Sequence, residues 1–374
     1  MPVRDKHKGE GQYAGRSGMG RNRSANVKAA GRLSGWAARN EDDEFLEKHG
    51  TREQRSHAGE RLLASFNRAA RGAADGVGEA AEVAGFDGTT VIVRCADGSE
   101  VAASVRRVIK KMIVGVKNPL CVGDRVRLDR TSDPVITAVD ERRNQLARTD
   151  SHNRALIQVF AANLDRLVVV SSAADPDFKP GLVDRYLLIA AANGIPACLV
   201  INKADRGEAE APAALYRTLG IPVFITVADG ALRGLDELRT ALAGQACVVA
   251  GQSGVGKSSL LNALHPGLGA RTGIVAEAGH GRHTTNSSRS YLLPDGGRLI
   301  DTPGVRECAI TGLTPLDVAL FFSDIAALHP ACHFADCSHI HEPDCAVRAA
   351  FDDGRLAASR YDSYCAILAQ DLAS

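Results

Sequence analysis

The chain has 374 residues, 45% of them hydrophobic and 24% charged, with a net charge of +1; this suits two or three soluble domains, and any nucleic-acid-binding basic surface must be local. No apolar run is long enough to span a bilayer and the N-terminus has no apolar signal-peptide core, so a cytoplasmic protein with no membrane partner is expected. Of nine cysteines, Cys332, Cys337 and Cys345 cluster, a pattern that fits a metal site in a reduced compartment better than disulfides.

Residues 1–84 read as a basic, largely disordered extension. Up to about Asn40, Arg4, Lys6, Lys8, Arg16, Arg21, Arg23, Lys28, Arg32 and Arg39 face only two acids, Asp5 and Glu10. Such a segment cannot bury a core. An acidic patch follows at Glu41 to Glu44, then a helix-like, Ala-rich stretch to about Ala84. The tail is either a solvated, variable extension or an arm that folds on RNA.

Residues 85–148 carry short strands and turns. Thr89 to Arg94, Val101 to Val105, Val122 to Leu128 and Val135 to Val139 are apolar or alternating runs, with Asp97-Gly98 as a hairpin signal. Several short strands in so small a region predict a β-barrel of the OB type. Arg106, Arg107, Lys110 and Lys111 form either a basic face for phosphates or a charge-guarded strand edge.

From Leu164 the pattern changes to apolar strands alternating with helices: Leu167 to Val170, Val183 to Ala192, Ala197 to Ile201, Pro222 to Ile225, Leu232 to Leu242, Cys247 to Ala250 and Leu299-Ile300. Residues 149–312 are therefore expected to form an α/β domain with a mainly parallel sheet. Its ligands belong at the carboxyl ends of the strands.

Three motifs follow such strands directly. Asn202-Lys203-Ala204-Asp205 comes first. The Asp205 carboxylate can accept from guanine N1–H and the 2-amino group, a donor pair that adenine lacks, and the Lys203 stem can lie over the base. Thr226-Val227-Ala228, ending the next strand, is expected to give backbone contact to the guanine oxygen. Gly251-Gln252-Ser253-Gly254-Val255-Gly256-Lys257-Ser258-Ser259 then reads as a phosphate loop. Its N–H groups cradle phosphates, Lys257 reaches the β- and γ-phosphates, and the Ser258 hydroxyl ligates Mg²⁺. Asp301-Thr302-Pro303-Gly304 comes last: Asp301 supplies a carboxylate near Mg²⁺, and Gly304 an N–H for the γ-phosphate. In ordinary GTPases the phosphate loop precedes the guanine motif, so this order predicts a circularly permuted GTPase.

Val305 stands where Ras-like enzymes carry a water-orienting Gln. Intrinsic hydrolysis should be slow unless another group or a partner positions the water. In Gly279 to Thr285, the expected first switch, either Thr284 or Thr285 completes the Mg²⁺ shell, and His283 either orients the water or only packs.

Residues 313–374 hold Cys332-x₄-Cys337-x-His339-x₅-Cys345, a Cys₃His set suited to structural Zn²⁺ with no open position. His333 and His341 are competing imidazoles, and three buried free cysteines are the bland alternative.

Together these parts resemble the circularly permuted GTPases of the RsgA or YjeQ family, which depend on the small ribosomal subunit. The resemblance runs from about Gly85 to the C-terminus through Val122 to Val126, Val183 to Leu187, the permuted motifs, Arg282 to Thr285, Asp301 to Glu307 and the cluster through Cys345-Ala346-Val347. It implies a multidomain protein: an OB-like barrel, a permuted P-loop α/β GTPase domain, then a small, mostly α zinc domain with ligands Cys332, Cys337, His339 and Cys345. It also implies GTP hydrolysis late in small-subunit maturation, stimulated by that subunit and its rRNA. The cofactors would be one Zn²⁺ per chain and Mg²⁺ with GTP, and the chain is expected to be a monomer. Asn286, Arg206 and the long N-terminal extension depart from the family pattern. The rival functions are an RNA-binding assembly factor whose nucleotide pocket is regulatory or structural, and a permuted GTPase of large-subunit assembly.

Overall fold

A computed structural model describes residues 58–72, 76–111, 116, 118–149, 157–265, 288–301 and 313–371. The N-terminal tail and the expected switch residues His283, Thr284, Thr285 and Gly304 lie outside the described residues.

Helix α1 (Ala58–Gly72) precedes five strands: β1 (Glu79–Asp87), β2 (Thr90–Cys95), β3 (Glu100–Val105), β4 (Arg125–Asp129) and β5 (Val135–Val139), with the short α2 (Arg107–Lys110) after β3. They close into a barrel in the order β1-β2-β3-β5-β4. Every pairing is antiparallel except β3 with β5, where Ser104 faces Val135. This is the OB-type closure expected from the strand pattern. Val83, Val93, Val126, Leu128 and Ile136 fill the barrel; Phe66 of α1 and Ile109 of α2 join the same core.

Residues 58–72, inside the stretch expected to be helix-like, form a helix. The barrel starts at Glu79, inside that same stretch, rather than at residue 85. The sequence Glu79–Asp87 contains three alanines, and alanine favours helix. Pairing with both β2 and β4 overrides that local preference. The expected strand from Val122 to Leu128 is also shorter. Val122 makes only an isolated bridge to Ala161, and Gly123 turns at φ +89°, with the carbonyl of Ala162 2.2 Å from where a Cβ would sit.

A hairpin, β6 (Gln145–Thr149) with β7 (Ile157–Ala162), leads into the α/β region. Its elements are β8 (Arg166–Ser172), α3 (Pro180–Ala192), β9 (Ala197–Asn202), α4 (Glu210–Thr218), β10 (Val223–Ile225), α5 (Leu235–Leu242), β11 (Ala246–Gly251), α6 (Lys257–Leu264), β12 (Arg289–Leu292) and β13 (Arg298–Asp301). The sheet order is β10-β9-β8-β11-β13-β12. All pairings are parallel except β12 with β13. Helix α5 starts at Leu235 rather than Leu232, because Leu232 and Gly234 both take positive φ and interrupt helical geometry.

The C-terminal region contains α7 (Pro315–Phe321), α8 (Ser323–Leu328), a 3₁₀ turn (His329–Ala331), α9 (Ala346–Asp352) and α10 (Ala358–Asp371). The predicted mostly α character is present. Thr314 starts α7 with a capping box, exchanging hydrogen bonds with Asp317. Phe322, Ile325, Val347, Tyr364, Ile367 and Leu368 share one core with Val183, Tyr186 and Ile189 of α3. Beneath that contact, Arg360 forms a bidentate pair with Asp324, at 2.9 Å for both bonds, and reaches the buried carboxylate of Asp184. No helix among the described residues is long and apolar enough to cross a membrane.

Candidate nucleotide site and metal centre

The nucleotide motifs stand at the carboxyl ends of parallel strands of one sheet. Asn202 ends β9, Gly251 ends β11 and Asp301 ends β13; this is the edge where open α/β sheets hold ligands. The loop from Gly251 to Gly256 turns straight into α6. It needs glycine at both ends. A Cβ on Gly251 would lie 2.2 Å from the Val170 carbonyl, and one on Gly256 would lie 2.4 Å from Asn202 Nδ2. Gly256 also sits at φ +90°, a region that side chains disfavour. Lys257 curls back over the loop, donating to the carbonyls of Gly251 (3.1 Å) and Gln252 (2.8 Å). Ser258 and Ser259 follow in the first turn of α6, half-buried.

Asn202 joins the motifs into one site. It is buried, its Nδ2 donates to Val255 O of the phosphate loop at 3.0 Å, and its Oδ1 accepts from Thr226 Oγ1 and Ala228 N, both at 3.1 Å. These three side-chain bonds are thus spent on scaffolding rather than on a ligand. The backbone of Thr226-Val227-Ala228 is also occupied: Thr226 N donates to Ile201 O and Val227 N to Arg233 O. A base oxygen arriving here would share the Ala228 N–H with Asn202.

Lys203 has φ +60° and donates its ammonium to Asp175 O. Asp205 is nearly half exposed, and Arg206 lies 3.7 Å from its carboxylate. An ion pair this exposed contributes at most about 1 kcal/mol, so the carboxylate remains available to other donors.

One contributor was missed in the sequence: the loop after β8. Ser172 is buried and donates to Pro176 O at 2.6 Å, Asp175 supplies the carbonyl that holds Lys203, and Pro176 lies against Gly254. Its only sequence signal was its place after an apolar parallel strand. The backbone of Asp301 is described, opposite Arg289.

The second site lies between the 3₁₀ turn and α9. One ligand atom from each of Cys332, Cys337, His339 and Cys345 falls within 4.8 Å of all the others. His339 Nδ1 is 3.6 Å from Cys332 Sγ and 3.4 Å from Cys345 Sγ, and those sulfurs are 3.9 Å apart. A tetrahedral ion with metal–sulfur bonds near 2.3 Å and metal–nitrogen bonds near 2.05 Å requires about 3.8 Å between sulfurs and about 3.6 Å from sulfur to nitrogen. The cluster therefore fits a four-coordinate metal ion. His333 instead stacks edge-on against Phe334, and His341 is exposed; neither joins the cluster.

The loop carrying His339 is built around its backbone. His339 sits at φ +62°. Tyr361 donates to His339 O at 2.7 Å and Tyr364 to Ser338 O at 2.9 Å. Glu342 accepts from the N–H groups of Ser338, Ile340 and His341 and from the Ser338 hydroxyl. Burial would raise the Glu342 pKa, but these bonds outweigh it and hold the carboxyl at about 2. Burial pushes His339 down to about 4, keeping the imidazole in the neutral form that binds metal.

The chain matches the family model described as RsgA GTPase over residues 139–311. It is 42% identical to the small ribosomal subunit biogenesis GTPase RsgA of Gemmatimonas aurantiaca, over 71% of this chain and 89% of that one. It is 37% identical to the protein of the same name from Chlorobaculum parvum, over 75% and 94%. Among solved structures, it resembles YjeQ from Thermotoga maritima with a TM-score of 0.63 and 28% identity, covering 79% of this chain and 99% of that one. It also resembles YloQ, a circularly permuted GTPase, with a TM-score of 0.60 and 28% identity, over 78% and 94%.

Proposed function

The chain belongs to the RsgA family of small ribosomal subunit biogenesis GTPases, and from that premise we propose a hydrolysis cycle whose rate is set by the small subunit. The protein converts GTP to GDP and phosphate during maturation of that subunit, in the cytoplasm and as a monomer. The carrying observation is the Asn202 staple, which ties the phosphate loop, the guanine motif and the Thr226–Ala228 loop into one nucleotide site.

In this reading Asp205 accepts from guanine, Lys203 covers the base and Lys257 turns from the loop carbonyls to the β- and γ-phosphates. Asn202, Gln252, Ser253, Gly254, Val255 and Gly256 shape the cradle, with Ser259 beside it. Ser258, Asp301 and either Thr284 or Thr285 hold the Mg²⁺ that neutralises phosphate charge. Gly304 meets the γ-phosphate. Val305 leaves the attacking water without an orienting amide, so His283 or a group of the bound subunit must place it. The Cys₃His cluster takes one structural Zn²⁺: with four protein ligands, no position is open for chemistry.

The barrel is joined to the sheet at β12. Buried Arg94 donates to Glu100 at 2.7 Å and to the backbone carbonyl of Ser290 at 2.7 Å; Arg289 also pairs with Glu100 at 3.0 Å. In chain order β12 follows the expected first switch, and its partner β13 ends at Asp301. The C-terminal metal region packs on α3 instead. Nucleotide-dependent ordering of the switches would thus bias the angle between barrel and metal region, and the GTP-bound arrangement would dock on rRNA.

The deciding measurement is GTP turnover by the purified chain, alone and with small or large subunits. Slow basal turnover, raised only by small subunits, is the expected result. No stimulation would favour an RNA-binding assembly factor with a structural nucleotide pocket, and stimulation by large subunits would move the protein to another assembly pathway. Arg94→Met should keep basal turnover and subunit binding but lose most of the stimulation. Equal stimulation of the variant would show that β12 does not carry the signal.

A further inference from the structure

His329 lies outside the four-ligand set, three residues before Cys332. Its ring packs edge-on against His339, with centroids 5.1 Å apart and planes at 87°. Its Nδ1 is 3.1 Å from His339 Nε2, and its own Nε2 is 3.2 Å from the backbone carbonyl of Ala335.

Proton positions along this chain follow from either end. A backbone carbonyl can only accept, so His329 carries its proton on Nε2. In the neutral ring Nδ1 is then an acceptor. The 3.1 Å contact is then a hydrogen bond only if His339 carries its proton on Nε2, which leaves the His339 Nδ1 lone pair free. Starting from the other end, Nδ1 is the nitrogen facing Cys332 and Cys345. A metal there requires the proton on Nε2, which needs an acceptor because His339 is fully buried. Both routes give the same pair of tautomers.

We propose that His329 is a positioning residue for the metal centre, accepting the His339 Nε2–H so that the His339 Nδ1 lone pair is aimed at the ion. The inference rests on the zinc reading above. Partners of ligating histidines fix tautomer and ring orientation, and their loss typically costs about 10- to 100-fold in metal affinity. Here the partner also anchors the segment between Cys332 and Cys337 through Ala335, so one side chain sets two parts of the ligand loop.

Two substitutions in the full chain separate this role from simple packing. His329→Phe keeps a ring against His339 but removes the acceptor. His329→Asn loses the ring but can put an amide oxygen near the former Nδ1. Zn²⁺ affinity is read by competition with a chromophoric chelator, and ligand geometry by the absorption spectrum of the Co²⁺-loaded chain. The Phe variant is expected to lose about 10- to 100-fold in affinity and to show an altered Co²⁺ spectrum, with the Asn variant staying close to the parent. A tolerated Phe, or an Asn variant as weak as Phe, would mean that His329 acts by packing alone.

A measurement on the unsubstituted zinc-loaded chain avoids any dependence on variant folding. Two-bond ¹⁵N–¹H correlation should report Nε2-protonated tautomers for both His329 and His339. A proton on His329 Nδ1 would overturn the proposal. If the parent chain bound neither Zn²⁺ nor Co²⁺, the zinc reading itself would fall, and the inference with it. That result is distinct from a parent that binds metal and a Phe variant that binds equally well.

Discussion

Asp205→Asn should weaken GTP binding by about 10²- to 10⁴-fold and shift preference toward xanthosine triphosphate. The carboxylate is expected to accept two hydrogen bonds from the base edge. Bonds to charged groups contribute about 1.5–3 kcal/mol each, so losing both charge-assisted bonds costs at most roughly 3–6 kcal/mol, about the energy of that affinity ratio. Asparagine offers a carbonyl to one donor but turns an N–H toward the other. Xanthine carries an oxygen in place of the 2-amino group and so restores the match. The fold should be indifferent, because Asp205 is nearly half exposed and its ion-pair partner is the equally exposed Arg206. Nucleotide affinities measured by calorimetry decide the matter. Unchanged GTP affinity would refute the assignment of Asp205 to the base.

Arg360→Leu should be the most destabilising of the substitutions considered, at about 3–5 kcal/mol of a total that for most domains is only about 5–15 kcal/mol. Arg360 is buried between Asp184 and Asp324, over the Phe322 ring at 4.3 Å. Burial raises the Asp184 pKa, while Arg360 and the hydroxyls of Ser363 and Tyr216 act against that rise. Removing the guanidinium leaves Asp184 as a buried carboxylate with no cation. Asp184→Leu combined with Arg360→Leu should recover part of the loss, since an uncompensated charge costs more than a missing pair. Urea unfolding of the parent, the single and the double variants tests this. A single variant within about 1 kcal/mol of the parent would show that the pair does not hold the C-terminal region to α3, since that is the range of an exposed pair.

Much of the candidate nucleotide site was legible because its signals are local. A phosphate loop is a short run of glycines between an apolar strand and a helix, and each guanine or switch motif follows its own strand. Their order in the chain specified a permutation before any contact was known, and the sheet order β10-β9-β8-β11-β13-β12 realises it. The barrel strands were readable where β-branched residues alternate. Strand β1 was not, because Glu79–Asp87 is alanine-rich and becomes a strand only between β2 and β4.

What the sequence by itself determined, then, was the kind of chemistry and the order of the parts. The tertiary structure decided which distant groups meet. Arg94 and Ser290 are 196 residues apart, and Arg360 and Asp184 are 176 apart; no local periodicity records such pairs. Four histidines compete near the cysteines, and composition treats them alike. His339 enters the cluster because the chain turns through a positive φ there, with Glu342, Tyr361 and Tyr364 holding the turn. His329 comes to rest behind it because the 3₁₀ turn brings its ring against the Nε2 edge of His339, away from the sulfurs. Local signals report what a segment prefers alone, whereas these contacts exist only once separate segments share a core.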